Sequence, residues 1–246
     1  MTHFTCKTTE DFLDALEKLE TENAPIKGLV LDLRNNGGGL LEESLRISDI
    51  FIDDGIILSI KGRGEGNAKE FPAKADSVKR DYPIVMLING GSASASEIVA
   101  GALQDHKRAL ILGTTSFGKG SVQTVESLRD GYGLKLTIAR YYTPSGRSIQ
   151  AKGIEPDIVL PFKLLEEADQ ANGEDGFVKE SDLKNHLEGP AEPKEKPAVE
   201  EKETPSVNGA ESRVNPLEMD NLKRDNQIMR ALDILVSYDL FKHLGS

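Results

Sequence analysis

The chain has 246 residues, which suits one large domain or two small ones, and it carries a net charge of −11 and a single cysteine, Cys6. The acidic balance argues against a nucleic-acid partner, because phosphate binding needs a basic patch, and one cysteine excludes an intramolecular disulfide. The sequence contains no apolar run of about 20 residues that could span a membrane, and its histidines lack the spacing of a metal site, so we expect neither metal nor cofactor.

The N-terminal residues carry no basic and apolar leader of the kind that directs export. Apolar residues then recur with helical spacing at Phe12, Leu13, Leu16 and Leu19, which predicts a helix. Expressed as written, the chain is therefore expected to stay in the cytoplasm.

Strand-like and helix-like segments alternate along the first part of the chain. Buried strands that alternate with helices predict an α/β fold with a largely parallel sheet flanked by helices. The strand-like runs are Gly28–Leu33, Ile56–Ile60, Pro83–Ile88, Ala109–Gly113 and Leu134–Ala139, and the helix-like runs are Thr9–Glu20, Leu41–Phe51 and Ser94–His106.

The first of these strands runs directly into three glycines, Gly37 to Gly39. One interpretation is a tight turn between strand and helix, which glycine favours because it tolerates positive φ. The other is a backbone amide that points at a bound carbonyl oxygen. This segment by itself does not decide between them.

A run of small residues and serines, Gly91–Glu97, precedes the third helix-like segment. Its Ser94-x-x-Glu97 spacing is that of a capping box, and a serine in this position is most often a structural cap. A helix N-terminus also presents free amides and the positive end of a dipole, which can stabilise an oxyanion beside a nucleophile. The small neighbours Ala93 and Ala95 would let a substrate backbone approach closely.

Lys119 follows the next strand, 25 residues after Ser94, and Gln123 lies four residues further on. A serine nucleophile with a lysine base is an established variant of the catalytic triad and needs no histidine. A lysine acts as a base only when neutral, and burial disfavours its charged form. We expect the apolar runs Leu110–Leu112 and Val122–Val125 to bury it, while Gln123 supplies a hydrogen-bond partner without a negative charge.

The same region matches the first seven positions of a phosphate-binding P-loop, from Gly113 to Lys119. The eighth position should be serine or threonine and is Gly120 here. A P-loop must also open a helix, whereas the residues after Lys119 predict a β-hairpin. A nucleotide site is therefore disfavoured.

Taken together, these segments resemble the carboxyl-terminal processing proteases, the tail-specific serine peptidases of family S41, which share a core fold with ClpP and crotonase. The resemblance covers about residues 5–160 and rests on Leu31–Gly39, Gly91–Glu97, Phe117–Gly120, Gln123, Tyr142–Ile149 and Gly153–Asp157. One departure is Gly37, where the family usually has proline, and this change should loosen the turn.

The resemblance implies that Ser94 is the nucleophile, Lys119 the general base and Gln123 the residue that orients the lysine, with oxyanion donors at the Gly38 and Ala95 amides. It implies cleavage of proteins or peptides with accessible C-termini, and a parent family that is exported to the periplasm or cell envelope.

Two alternatives stay open at this point. Relatives normally carry an export signal and a PDZ domain upstream, so the chain could be a catalytically impaired remnant or an assembly module. A crotonase-like acyl-CoA enzyme would use the same glycine amides for a thioester oxyanion. That chemistry has no need of Ser94, Lys119 and Gln123.

The composition changes after the catalytic core, for which we predict residues 1–162. A helical flanking segment (163–186), a disordered linker rich in Pro, Glu and Lys (187–217) and an amphipathic C-terminal helix (218–246) should follow. The apolar face of that helix needs a partner surface, either the chain's own core or a second copy in a homodimer, as in some relatives. The face comprises Ile228, Ala231, Leu232, Leu235 and Val236.

Overall fold

The computed structural model of the chain describes residues 1–62, 68–74, 78–165 and 219–244. Its elements in chain order are α1 (Thr8–Glu22), β1 (Leu29–Asp32), α2 (Leu41–Asp49), β2 (Ile56–Gly62), β3 (Ala68–Pro72), β4 (Ile84–Ile88), α3 (Ala95–Asp105), β5 (Ala109–Gly113), β6 (Ser121–Ser127), a 3₁₀ turn (Arg129–Gly131), β7 (Gly133–Tyr142), β8 (Ile158–Val159), α4 (Met219–Arg224) and α5 (Asn226–Leu244).

The chain divides into two compact units, residues 1–163 with 225–246, and residues 164–224. The predicted linker and most of the predicted flanking segment lie outside the described residues. The sheets, the helix α5 and the site discussed below all belong to the first unit.

One sheet is parallel throughout, with the strand order β1-β4-β5-β8. Every residue of β4 is buried, and its side chains alternate between two apolar clusters, with Ile84, Met86 and Ile88 in one and Val85 and Leu87 in the other. Because both faces are covered, this strand is apolar throughout, as is typical of parallel sheets. The predicted α/β fold with a parallel sheet flanked by helices is confirmed.

A second sheet is antiparallel, with the order β3-β2-β7-β6. This sheet contains the hairpin predicted after Lys119, which is formed by β6 and β7. Strand β6 lies at one edge of the sheet. Alternation of strands and helices does not predict this sheet. In the structure, β2 does not join the parallel sheet and pairs with β3 and β7 instead.

Helix α5 covers one face of the parallel sheet. Ala231 and Leu235 are buried against Val85, Leu87 and Leu112. The predicted apolar face is only half buried, because Leu232 and Val236 remain 44% and 59% exposed. Within the described ranges, no helix is long and apolar enough to cross a membrane.

Candidate active site

The predicted site residues Gly38, Ser94 and Lys119 lie beyond the ends of neighbouring parallel strands, whereas Gln123 lies within β6 of the antiparallel sheet. Gly38 follows β1, Ser94 lies between β4 and α3, and Lys119 lies between β5 and β6. The carboxyl ends of parallel strands meet at one edge of a sheet, which is where α/β proteins usually bind ligands. Three segments are named after the roles predicted for their residues: the oxyanion loop is residues 34–39, the nucleophile turn is residues 89–96 and the lysine segment is residues 114–120.

The backbone of Ser94 is strained. Its φ of 58° and ψ of −111° place a non-glycine residue in a sparsely populated region at the N-cap of α3. Such a conformation costs about 1–3 kcal/mol and tends to occur at functional sites. A sharp turn from strand to helix also presents the nucleophile in other serine hydrolases.

The three serines of the nucleophile turn differ in what their hydroxyl groups do. Ser92 and Ser96 are fully buried and donate to the main-chain oxygens of Leu33 and Asn36, each at 2.8 Å. Ser94 is partly exposed, and among the described residues its hydroxyl donates to no acceptor. Ser94 is therefore the serine whose proton is uncommitted.

The carboxylate of Glu97 links the nucleophile turn to the lysine segment. It is fully buried, and its Oε2 accepts the amides of Ser94 at 2.8 Å and Lys119 at 2.9 Å. Its Oε1 accepts the Gly118 amide and the Ser116 hydroxyl, each at 2.6 Å. Because two amides share one oxygen atom, the main chains at Ser94 and Lys119 are close neighbours.

The side chains of Lys119 and Gln123 are exposed, so the predicted burial of the lysine is wrong for this conformation. The strand that was expected to cover it is itself open to solvent, with Val125 65% exposed. Within the described part of the chain, neither side chain forms a hydrogen bond with Ser94. The register of β6 and β7 also shifts between Val122 and Gln123, a bulge of the kind often found beside active sites.

The two predicted oxyanion donors differ. Ala95 is the first residue of α3, where the amide has no partner within the helix. The Gly38 amide instead donates to Oδ1 of Asn36 at 2.9 Å. A Cβ at Gly38, which has φ of 94°, would lie 2.9 Å from both the Ser94 Cβ and the Ala95 nitrogen, so only glycine fits beside Ser94.

Reciprocal contacts join the oxyanion loop to the nucleophile turn. Oδ1 of Asn89 accepts the Asn35 amide at 2.9 Å, and its Nδ2 donates to Oδ1 of Asn35 at the same distance. The main-chain oxygen of Asn36 accepts the Ala93 amide at 3.0 Å as well as the Ser96 hydroxyl. The two loops are therefore held in one arrangement without help from a ligand.

The described residues contain no cluster of His, Cys, Asp and Glu that could hold a metal ion. The arrangement offers a serine with a free proton, an unpaired helix amide beside it and a lysine on the adjoining segment. Those groups suit acyl transfer by a serine nucleophile.

Sequence reasoning found the serine, the lysine and the glycines but missed how they are connected. The Ser94-x-x-Glu97 spacing is visible and predicts the bond from the Ser94 amide to the Glu97 carboxylate, which is one half of a capping box. It does not reveal that Glu97 also accepts three donors from the lysine segment. The pairing of Asn35 with Asn89 has no local signal, because the two residues lie in different loops.

Comparisons with known proteins identify the family of the chain. The model of peptidase family S41 matches residues 1–160. The carboxy-terminal-processing protease of Bartonella bacilliformis is 49% identical over 191 residues, which is 77% of this chain and 43% of that protein. The chloroplastic C-terminal processing peptidase of Tetradesmus obliquus is 41% identical over 162 residues, 66% of this chain and 34% of that protein.

Among solved structures, the photosystem II D1 C-terminal processing protease matches with a TM-score of 0.61 and 40% identity. The match covers 65% of this chain and 41% of that one. The chain thus spans less than half the length of these relatives. The family model covers well over half of the chain, and the chain belongs to peptidase family S41.

Proposed function

We propose that this chain carries the catalytic centre of a serine endopeptidase that cleaves polypeptides near their C-termini. In this proposal Ser94 is the nucleophile, Lys119 the general base and Gln123 the residue that orients the lysine. The amides of Ala95 and Gly38 stabilise the oxyanion. The names of the relatives support the substrate class, because they describe processing of C-terminal ends.

One observation carries the assignment of the nucleophile. Of the three serines in the turn, Ser94 alone combines a strained backbone, a partly exposed side chain and an uncommitted proton. Its amide and that of Lys119 share one oxygen of Glu97, which supports the pairing of this serine with this lysine.

The reaction follows the scheme of serine hydrolases. Oγ of Ser94 forms a bond to the scissile carbonyl carbon while its proton passes to the neutral amine of Lys119. The carbonyl oxygen becomes an oxyanion that accepts hydrogen bonds from the amides. The C–N bond then breaks as the lysine returns the proton to the departing amine. Water attacks the acyl-serine ester in the same way and releases the new C-terminus.

Two local changes accompany catalysis in this proposal. The flexible side chain of Lys119 turns from solvent towards Ser94, and the bound substrate excludes water from it. The Gly38 amide leaves Oδ1 of Asn36 and donates to the oxyanion. Both changes involve short segments, so the fold itself need not rearrange.

A matched pair of variants tests the nucleophile. Ser94→Ala should abolish cleavage of an unstructured peptide and labelling by a fluorophosphonate, with little change in melting temperature. Ser96→Ala removes a buried hydroxyl and leaves the main-chain oxygen of Asn36 with one hydrogen-bond donor fewer, so it should lower the melting temperature while labelling persists. Retained labelling in Ser94→Ala would exclude Ser94 as the nucleophile.

The same labelling experiment separates the remaining functions. If the chain is a catalytically impaired remnant or an assembly module, the wild-type protein should fold but should not be labelled by the fluorophosphonate. If the chain is a crotonase-like enzyme, the wild-type protein should bind an acyl-CoA. Calorimetry measures this binding. Neither alternative accounts for the joint placement of Ser94 and Lys119.

A further inference from the structure

We propose that Asp225 and Gln227, at the start of α5, are positioning residues that act through Arg34 to hold the oxyanion loop against the nucleophile turn. This inference rests on the proposed function for its effect on turnover. Its structural part, the ordering of the loop by the C-terminal helix, is tested independently below.

Arg34 is the first residue of the oxyanion loop, and its guanidinium is shared between two parts of the chain. Its Nε and Nη2 donate to the carboxylate of Asp32 at 3.0 and 2.7 Å. Its Nη1 donates to Oε1 of Gln227 at 2.8 Å and lies 2.8 Å from Oδ2 of Asp225. The partners Arg34 and Gln227 are 193 residues apart in the chain.

These groups are largely removed from water, which makes the contacts strong. The side chains of Arg34 and Asp225 are only 12% and 10% exposed. Burial alone would lower the pKa of Arg34, but hydrogen bonds and charge from Asp32 and Asp225 outweigh it and raise the pKa above its ordinary value. Arg34 therefore stays charged, and the loss of one carboxylate leaves a buried ion network incomplete.

The α5 end of this contact is rigid. Oδ1 of Asp225 accepts the amides of Gln227 at 2.9 Å and Ile228 at 3.1 Å, so the same carboxylate caps the helix and binds Arg34. Nε2 of Gln227 donates to the main-chain oxygen of Leu160 at 2.6 Å. The helix itself is fixed on the sheet by its buried residues, so Arg34 is held by an anchored partner.

The loop that follows Arg34 needs such an anchor because it contains Gly37, Gly38 and Gly39 in succession. Glycine leaves the backbone more conformations than any other residue, so the path of the loop depends on the contacts that hold it, both those to the nucleophile turn and those of Arg34 at its start. Gly37 is the least constrained of the three. Its Cβ would meet no atom within 4 Å, and its φ lies outside the left-handed region.

Asp225→Asn tests the inference, because asparagine keeps a cap oxygen but removes the charge that faces Arg34. We expect kcat to fall about tenfold with little change in KM, since a displaced oxyanion donor weakens only the transition state. Hydrogen exchange at residues 35–38 should accelerate. The matched control on the same helix is Asp239→Asn, which removes an ion pair to Lys27 at 3.1 Å and should leave both readouts unchanged.

A second substitution distinguishes positioning from simple loss of stability. Gly37→Pro restricts the loop directly, so it should restore most of the turnover that Asp225→Asn loses. A merely structural role for Asp225 predicts additive effects and no rescue. If Asp225→Asn fails to fold, Gln227→Met removes the neutral contact to Arg34 and is measured in the same way.

The outcomes separate this inference from the proposed function. If wild type neither cleaves nor labels, the proposed function fails, and exchange at residues 35–38 still decides the structural part. If wild type is active and Asp225→Asn matches it in kcat and in exchange, α5 does not position the loop and the inference is wrong.

Discussion

The two sides of the candidate site differ in how far they are formed before a substrate binds. On the nucleophile side, the oxyanion loop and the nucleophile turn are joined by buried serine hydroxyls and by the Asn35–Asn89 pair. On the lysine side, the main chain is tied to Glu97, but the side chains of Lys119 and Gln123 are open to solvent. The Ser94 side of the candidate site is therefore preorganised, whereas the Lys119 side is not.

The difference follows from the elements that carry each side. The nucleophile side follows β1 and β4 of the parallel sheet, and β4 is a central strand that is covered on both faces. The lysine segment follows the central strand β5 but leads into β6, an edge strand of the antiparallel sheet. Its hairpin with β7 exposes apolar side chains, namely Val125, Leu128, Tyr132, Leu134, Leu136 and Ile138.

The largest loss of activity is expected from substitutions that change the lysine side alone. Lys119→Arg should lose as much activity as Lys119→Ala, because arginine stays protonated at any workable pH and cannot accept the serine proton. Since the side chain is exposed, the melting temperature of both variants should match wild type. Peptide cleavage and thermal unfolding check this, and appreciable cleavage by the arginine variant would exclude lysine as the base.

Glu97→Gln breaks the connection between the two sides. In the wild type, buried donors share the carboxylate of Glu97. A glutamine places an NH₂ group where one carboxylate oxygen stood, so some of these donors lose their acceptor. We expect a loss of about 3 kcal/mol in the free energy of unfolding and a large fall in cleavage rate. Urea unfolding measures the free energy of unfolding, and Glu42→Gln, at an exposed position, is the control. Wild-type stability in Glu97→Gln would show that the buried contacts carry little energy.

A smaller effect is expected within the nucleophile side. Asn89→Ala removes the acceptor for the Asn35 amide and the donor to its side chain, and should cost about 1 kcal/mol. Asn89→Asp keeps the acceptor and should cost less. A double-mutant cycle with Asn35→Ala isolates the pair, and purely additive costs would mean that the two loops are not coupled through it.

The smallest effect is expected on the hairpin. Val125→Thr should change the free energy of unfolding by less than about 0.5 kcal/mol, because this side chain is 65% exposed. The fully buried Val99→Thr serves as the contrast and should cost considerably more. A large cost at Val125 in urea unfolding would indicate that the hairpin is packed in solution and that the lysine side is not open.

Local sequence patterns predicted most of the elements and the candidate site residues. Continuous apolar runs predicted the buried parallel strands, and turn residues predicted the β6–β7 hairpin. Spacing singled out Ser94, Lys119 and the glycine run. These signals are local, since each depends on residues that are adjacent in the chain or a few positions apart.

Which polar groups meet depends on how the elements pack against one another. Glu97 reads as a helix cap in the sequence, and its bonds to Gly118 and Lys119 exist because β4 and β5 lie side by side. Arg34 meets Gln227 because α5 packs back onto the first sheet. The exposure of Lys119 was also decided at this level, because burial depends on which sheet a strand joins and on whether it lies at the edge.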